Sequence, residues 1–386
     1  MKVLIATDVS VIRNRNEIWV SQKHSSIFKR YYESFGKIIL FARCMENDST
    51  TNSFENLSDI FDSLIEIDSL YKVLLNQYNH EVEEKIKDCD LVIGRCPSFP
   101  AYKAFDIARR IGKPFLAESM GDAWDAYWNN RIAGKLIAPY VFFKMKKVVR
   151  DSDYAVYVTS RFLQRRYPCK NNGIAASNVL ISNIDEDVLV KRFNRIDCFN
   201  PREIILMTTA AVDVKYKGQQ YVIKSIPKLN KKGIRVKYYI VGEGKKNYLE
   251  SIVKKYNVKE QVVFTGRIPL EQVLELLDGV DIYLQPSLQE GLPRSVIEAM
   301  SRGCACIGAR TAGIPELLED EMVVKQKNVS DIVETILYYC ALSEKEKKNM
   351  ARRNWEEAKQ YDVKVLDDRR KRYFNKIKEE LKISER

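Results

Sequence analysis

The chain has 386 residues, with 64 Lys+Arg against 52 Asp+Glu, a formal net charge of +12, 45% hydrophobic and 30% charged residues. That length is about two to three domain units of ordinary globular composition, which excludes a mostly disordered chain and a small scaffold that needs staples. Two histidines and eight cysteines without paired CxxC spacing argue against a metal or disulfide framework, and the positive balance favours an anionic partner.

The first residues, MKVLIATD, are interrupted by Asp8 too early for a signal-peptide core of roughly 7–15 apolar residues. No stretch approaches the roughly 18 uncharged apolar residues of a membrane span, so a cytoplasmic protein is expected. Val3–Thr7, Lys37–Ala42, Leu91–Gly94, Phe115–Ala117 and Ala155–Thr159 read as strands of the first half. Between them, residues 46–63 are polar and predict a surface excursion, and the Val9–Trp19 stretch predicts a loop with Arg13 and Arg15. Asp88-Cys89-Asp90 and Asp151-Ser152-Asp153 precede strands and read as turn residues rather than metal ligands, so no metal is expected. Residues 131–170 carry ten basic residues against Asp151 and Asp153, with Tyr140, Phe142 and Phe143 beside Lys144, Lys146 and Lys147. Such a stretch lies on an anionic membrane or forms a solvated face over a core stripe. No motif of a nucleic-acid-binding module occurs, and no nucleic-acid partner is expected.

Ser182–Asn200 is rich in Asn and Asp and reads as a linker. Beyond it, Ile204–Thr208, Lys237–Val241, Val262–Thr265, Asp281–Gln285 and Cys304–Gly308 read as a second set of strands, with Cys304 and Cys306 as small core residues. Most of these runs are continuously apolar and separated by helical patterns, which predicts parallel sheets covered on both faces. After about residue 344 the pattern is helical, with Trp355, Tyr361, Val365, Leu366, Tyr373 and Phe374 as an apolar stripe.

Gln285–Leu317 carries the chemistry. The strand DIYLQ gives way to a loop with Glu290, Gly291 and Leu292, and a helix is expected from about Arg294 to Arg302 with Pro293 in its first turn. The N–H groups around Arg294 and Ser295 then favour a phosphate. Glu290 and Glu298 offer paired oxygens suited to vicinal sugar hydroxyls.

Glu290 and Glu298, separated by seven residues and followed by AM, G and GIPEL, resemble the E-x7-E signature of family 4 glycosyltransferases. Lys217-Gly218, Val241-Gly242-Glu243-Gly244 and Phe264-Thr265-Gly266-Arg267 follow successive strands, as they do in that family. The runs ESMGDAWDAYW and YVTSRFLQRRYP resemble bacterial capsule and exopolysaccharide transferases. The resemblance implies a GT-B fold, two Rossmann-like parallel-sheet domains facing across a cleft, over residues 1–185 and 200–355, with a C-terminal helix (356–386) returning to the first. It implies that Glu298 binds the ribose of a donor nucleotide sugar and Glu290 its hexose, that Lys217 and the N–H groups of Leu292, Pro293's helix start, Arg294 and Ser295 hold the diphosphate, and that Gly242, Gly266 and Arg267 line the base. Two features of the family pattern are absent: an arginine after ILMTTAA, where Lys215 stands nearby, and a Gly-Gly pair in DVSVIRNRNEIW. Glu118 and Asp122 are candidates for the reacting centre, with a helix cap as the alternative for Asp122.

These readings predict retaining transfer of a hexose or related sugar from a nucleoside diphosphate sugar to a glycan or lipid-linked acceptor in surface polysaccharide synthesis. A sugar-nucleotide 2-epimerase of the same shape and a non-catalytic partner in a polysaccharide assembly complex are the alternatives. No cofactor is expected, and residues 131–170 are expected either to hold the protein on the inner face of the membrane or to be only a solvated face.

Overall fold

A computed structural model describes all residues except 46–53, 130–131, 172, 183 and 385–386, and no side chain is described at 23, 383 and 384. The chain divides into two compact units, one comprising Met1–Asn178 and Asp367–Arg386, the other Val179–Leu366. The division therefore falls before the expected linker, and the return comes later than residue 356.

The first unit contains β1 (Val3–Asn14), β2 (Glu17–Ser21), β3 (Ile38–Met45), β4 (Phe54–Asn56), β5 (Phe61–Ile67), β6 (Leu91–Cys96), β7 (Phe115–Ser119), β8 (Tyr154–Tyr157) and β9 (Ile174–Ala175). Its parallel strands run in the order β5-β3-β1-β6-β7-β8-β9, and β2 and β4 add antiparallel to the far end of β1. Every residue of β6 and β7 is buried, as strands covered on both faces require. The core gathers Ile5, Phe28, Tyr31, Phe35 and Leu40 with Phe374 and Ile377 from the helix Val363–Ser384. Phe35 and Phe374 meet at 5.0 Å between ring centres. Burying one such phenylalanine contributes about 1.5–3 kcal/mol.

Two expectations fail here. The Val9–Trp19 stretch is the β1–β2 hairpin, with Val11 opposite Val20, Arg13 opposite Ile18 and Asn14 opposite Glu17, and Val9, Val11, Ile18 and Val20 are buried. Arg13 pairs with Glu66. The described part of the 46–63 excursion is β4, a 3-10 turn (Ser58–Ile60) and the start of β5, with Leu57, Ile60 and Phe61 buried; residues 46–53 lie outside the described residues, as do Arg131 and Asn183. Asp90 and Asp153 act as turn residues, accepting the backbone N–H of Lys2 at 2.8 Å and of Phe115 at 2.9 Å.

The second unit contains β10 (Glu203–Thr209), β11 (Arg235–Val241), β12 (Val262–Gly266), β13 (Ile282–Gln285), β14 (Ala305–Ala309) and β15 (Val323–Val324). All pairings are parallel in the order β12-β11-β10-β13-β14-β15, the doubly wound 3-2-1-4-5-6 arrangement. Cys304 and Cys306 are buried. The expected linker is instead largely a helix, Glu186–Asp197, whose Val188, Leu189, Arg192 and Ile196 are buried. Arg192 donates to the carbonyls of Arg302 (3.0 Å), Val280 (2.6 Å) and Leu277 (2.7 Å), so it ties this helix to three points of the unit. Polar residues on its other face hid the helical period. The expected C-terminal stripe divides as well: Trp355 joins Leu189 and Ile196 in the second unit, Phe374 joins the first, and Val365 is exposed.

Candidate active site

In an open parallel sheet, ligands bind beyond the carboxyl ends of the strands where the order reverses. In the second unit that point lies between β10 and β13, which pair through Leu206–Ile282 and Met207–Tyr283. The chain leaving β10 makes a 3-10 turn (Lys215–Lys217) and then Gly218, whose φ is +83°. A Cβ at Gly218 would stand 2.0 Å from the Pro286 carbonyl oxygen, so only glycine lets the turn rest on the loop after β13. Leu288 N–H donates to Tyr216 O at 2.7 Å across the same junction.

This close approach puts Lys217 Nζ 2.8 Å from Glu290 Oε1. Gln285, the last residue of β13, donates from Nε2 to the same Glu290 oxygen at 2.9 Å and to Ser287 Oγ at 2.8 Å. Its own carbonyl oxygen accepts from Tyr283 OH at 2.8 Å and Ser295 Oγ at 3.1 Å. The amide orientation of Gln285 is therefore fixed by two donors, and it presents its NH2 to Glu290. Sequence reading missed Gln285, Tyr283 and Ser287. The available signal was a glutamine closing an otherwise apolar strand, a position that is fully buried.

The helix expected near Arg294 runs Arg294–Ser301, and Pro293 is its N-cap rather than part of its first turn. Proline supplies no capping oxygen, and helix geometry leaves the first N–H groups without an intrahelical acceptor. Leu292 and Pro293 are buried beneath this start. Glu298 lies one turn inside, half-buried. Among the described residues no donor reaches its carboxylate; Ser301 Oγ engages its backbone carbonyl at 2.7 Å instead. Burial raises the Glu298 carboxyl above its ordinary 4.5, against a weaker downward pull from Arg294.

The other expected donor contacts sit on the same rim. Gly242 N–H donates to Gly266 O at 3.0 Å, and Ala210 N–H to Val241 O at 2.9 Å, which binds the ends of β10, β11 and β12 together. A Cβ at Gly242 would lie 2.1 Å from Ala210 O. Arg267 is exposed and 3.6 Å from Glu243. Lys215, the stand-in for the missing arginine, packs 4.6 Å from the Tyr248 ring centre.

The two candidates of the first unit have another setting. Glu118 is buried at the end of β7 and accepts from Arg95 Nε (2.6 Å), Tyr31 OH (3.0 Å) and Asn178 Nδ2 (3.2 Å). Burial pushes its carboxyl up, but Arg95, Asn178 and Arg370 overcome this and hold it at about 2. Asp122 is the N-cap of the helix Ala123–Trp128, accepting Trp124 N–H at 2.9 Å and Tyr167 OH at 2.5 Å, with Arg166 Nε 2.6 Å away. The two runs ESMGDAWDAYW and YVTSRFLQRRYP thus meet each other here. Glu118 and Asp122 thus have their oxygens engaged within the unit, and Asp122 takes the helix-cap role that was its alternative.

The family model described as glycosyl transferases group 1 matches residues 193–358, which hold Lys217, Glu290 and Glu298. The chain is 29% identical to protein CapJ of Staphylococcus aureus over 344 residues, 87% of this chain and 85% of that protein. It is 27% identical to WcaL of Salmonella typhimurium, a putative colanic acid biosynthesis glycosyltransferase, over 157 residues, 39% of this chain and 38% of that one. In fold it is similar to HepE of Anabaena, solved in complex with UDP, with a TM-score of 0.67 at 12% identity, covering 97% of this chain and 100% of that one. Residues 193–358 thus match the group 1 glycosyl transferases, and the chain as a whole has the GT-B fold.

Proposed function

We propose that this protein transfers a hexose or related sugar from a nucleoside diphosphate sugar to a glycan or lipid-linked acceptor, with retention at the anomeric carbon, in the synthesis of a surface polysaccharide. One observation carries the reading. A half-buried glutamate whose carboxylate has no donor among the described residues, Glu298, stands one turn inside an uncapped helix, and the loop leading to that helix carries Glu290, paired with Lys217. A carboxylate accepts two hydroxyls of a ribose, a helix N-terminus and an ammonium suit a diphosphate, and Glu290 suits sugar hydroxyls. The similarity to CapJ and WcaL supports the polysaccharide, and the HepE complexes with UDP and UDP-glucose make uridine diphosphate the first nucleotide to try.

In the reaction, the bond from the anomeric carbon to the diphosphate oxygen breaks and a bond to the acceptor oxygen forms on the same face. The acceptor's proton passes to the departing diphosphate, so no carboxylate is needed as base. Lys217 and the N–H groups at Ser295 hold the developing charge, the interaction expected to contribute most to the rate. Without donor, Lys217 and Glu290 neutralise each other; donor binding exchanges that pair for phosphate and sugar. No metal takes part in this scheme. The eight unpaired cysteines suit a reducing, cytoplasmic location.

The test is incubation with a panel of labelled nucleotide sugars, with and without chelator. Transfer or slow hydrolysis of one donor, unaffected by chelator, is expected. Glu290→Gln should lower turnover while leaving UDP affinity equal or higher, since it frees Lys217. Conversion to an isomeric nucleotide sugar would instead identify an epimerase, and binding without turnover a non-catalytic partner.

A further inference from the structure

The helix Ile132–Arg150 has two apolar faces. One, formed by Gly134, Ala138, Val141, Met145, Val148 and Val149, is buried in the first unit. The other faces solvent: Ile132 is 81% exposed, Leu136 79%, Tyr140 58% and Phe143 66%. Their spacing of four, four and three residues places them in one line along the helix. Trp128, just before the helix, is 42% exposed and stacks on Trp124. An unpartnered line of large apolar side chains marks an interaction surface.

The charges beside it identify the partner. The helix contains no Asp or Glu, and Lys135, Lys146, Lys147 and Arg150 are exposed on it. Asp151 alone is shared by Lys147 at 3.2 Å, Arg150 at 2.9 Å and Lys170 at 3.3 Å, which leaves an excess of positive charge. Lys144 does not contribute: it is held by Asp106 at 2.6 Å. Aromatic residues with a polar tip, such as Trp128 and Tyr140, suit a boundary between hydrocarbon and water. A second copy of the chain fits poorly, because a symmetric contact would bring the same cations together. No described helix is long and apolar enough to cross a membrane, so this one lies on the surface.

We propose that the protein docks on an anionic lipid surface through this helix, with Ile132, Leu136, Tyr140 and Phe143 inserted among the headgroups and Lys135, Lys146 and Lys147 on lipid phosphates. The docking stands apart from the donor chemistry, and its failure would leave the sugar-transfer reading untouched.

Co-sedimentation of the full chain with vesicles tests it. Wild type should bind phosphatidylglycerol–phosphatidylcholine vesicles at low salt, bind phosphatidylcholine alone weakly, and lose binding as salt rises, because screening shortens to about 8–10 Å near physiological salt. Leu136→Ser with Phe143→Ser should reduce binding about tenfold or more, given about 25 cal/mol per Å² of apolar surface. Lys146→Glu with Lys147→Glu should reduce it to a similar degree. All four positions are exposed, so melting temperature and UDP affinity should stay at wild-type values. The proposal is overturned if wild type ignores anionic vesicles at low salt, if the Leu136→Ser, Phe143→Ser variant binds as wild type does, or if wild type is a dimer that this variant makes monomeric without any vesicle binding.

Discussion

Two glutamates near the carboxyl ends of parallel strands meet opposite treatment in this molecule. Glu118 in the first unit is buried and has three donors, and its carboxyl is held down at about 2. Glu298 in the second is half-buried without a donor, and burial alone moves its carboxyl up. One carboxylate is fully and the other partly withdrawn from water, and they also differ in whether the protein itself completes their hydrogen bonds. A complete set holds the fold together, whereas an incomplete one keeps a cost that a ligand can relieve.

The comparison breaks most severely at Arg95. Arg95→Met strands the Glu118 charge in the interior and should destabilise the protein by about 3–5 kcal/mol, read by urea unfolding. Adding Glu118→Leu should recover much of that loss. Because the Glu118 carboxyl lies below its ordinary 4.5, its contribution is present above that pH and fades as pH falls towards 2. A wild-type melting series that stays flat through this window would contradict the assignment.

At Glu298 the sign reverses. Its raised carboxyl favours the protonated form, so the ionised form is a burden that grows as pH climbs above 4.5. Glu298→Gln should therefore raise the melting temperature at neutral pH, with the gain vanishing below 4.5. The same change should weaken UDP binding by about 1.5–3 kcal/mol in calorimetry, the worth of a hydrogen bond to a charged group. Loss of stability together with unchanged affinity would make Glu298 a structural residue like Glu118.

The smallest effect is expected at Gln285. Gln285→Met removes a donor to the Glu290 carboxylate and the acceptor of Tyr283 OH and Ser295 Oγ, while Lys217 still holds Glu290, and should lower kcat several-fold with UDP affinity nearly unchanged. An equal fall in UDP affinity would show that Gln285 supports the whole rim.

Ten strands were legible in the sequence because buried parallel strands are continuous apolar runs. The strands it missed lack that mark: β2 and β4 are short edge pieces, β9 and β15 have two residues each, and Asp62, Ser63 and Glu66 interrupt the apolar run of β5. The helix Glu186–Asp197 was hidden because an arginine, Arg192, fills a core position by bonding backbone carbonyls. Within the candidate site, the spacing of Glu290 and Glu298 was visible in one dimension. The Lys217–Glu290 contact was not, since it joins residues 73 apart through the approach at Gly218. Glu118 misled because carboxylates look alike until Arg95 is beside them.

The helix Val363–Ser384 has a consequence for synthesis. The second unit is one unbroken stretch, Val179–Leu366, and can close as soon as it has left the ribosome. The first is discontinuous: its core waits for Phe374 and Ile377, which are made after the whole of the second unit. Domains usually complete in the order of their translation, N-terminal first. Here the order is inverted, and for most of its synthesis the earlier-made sheet holds Phe35 and Tyr31 without the aromatic ring that covers them. During that interval the nascent first unit is the part of the chain most in need of a chaperone.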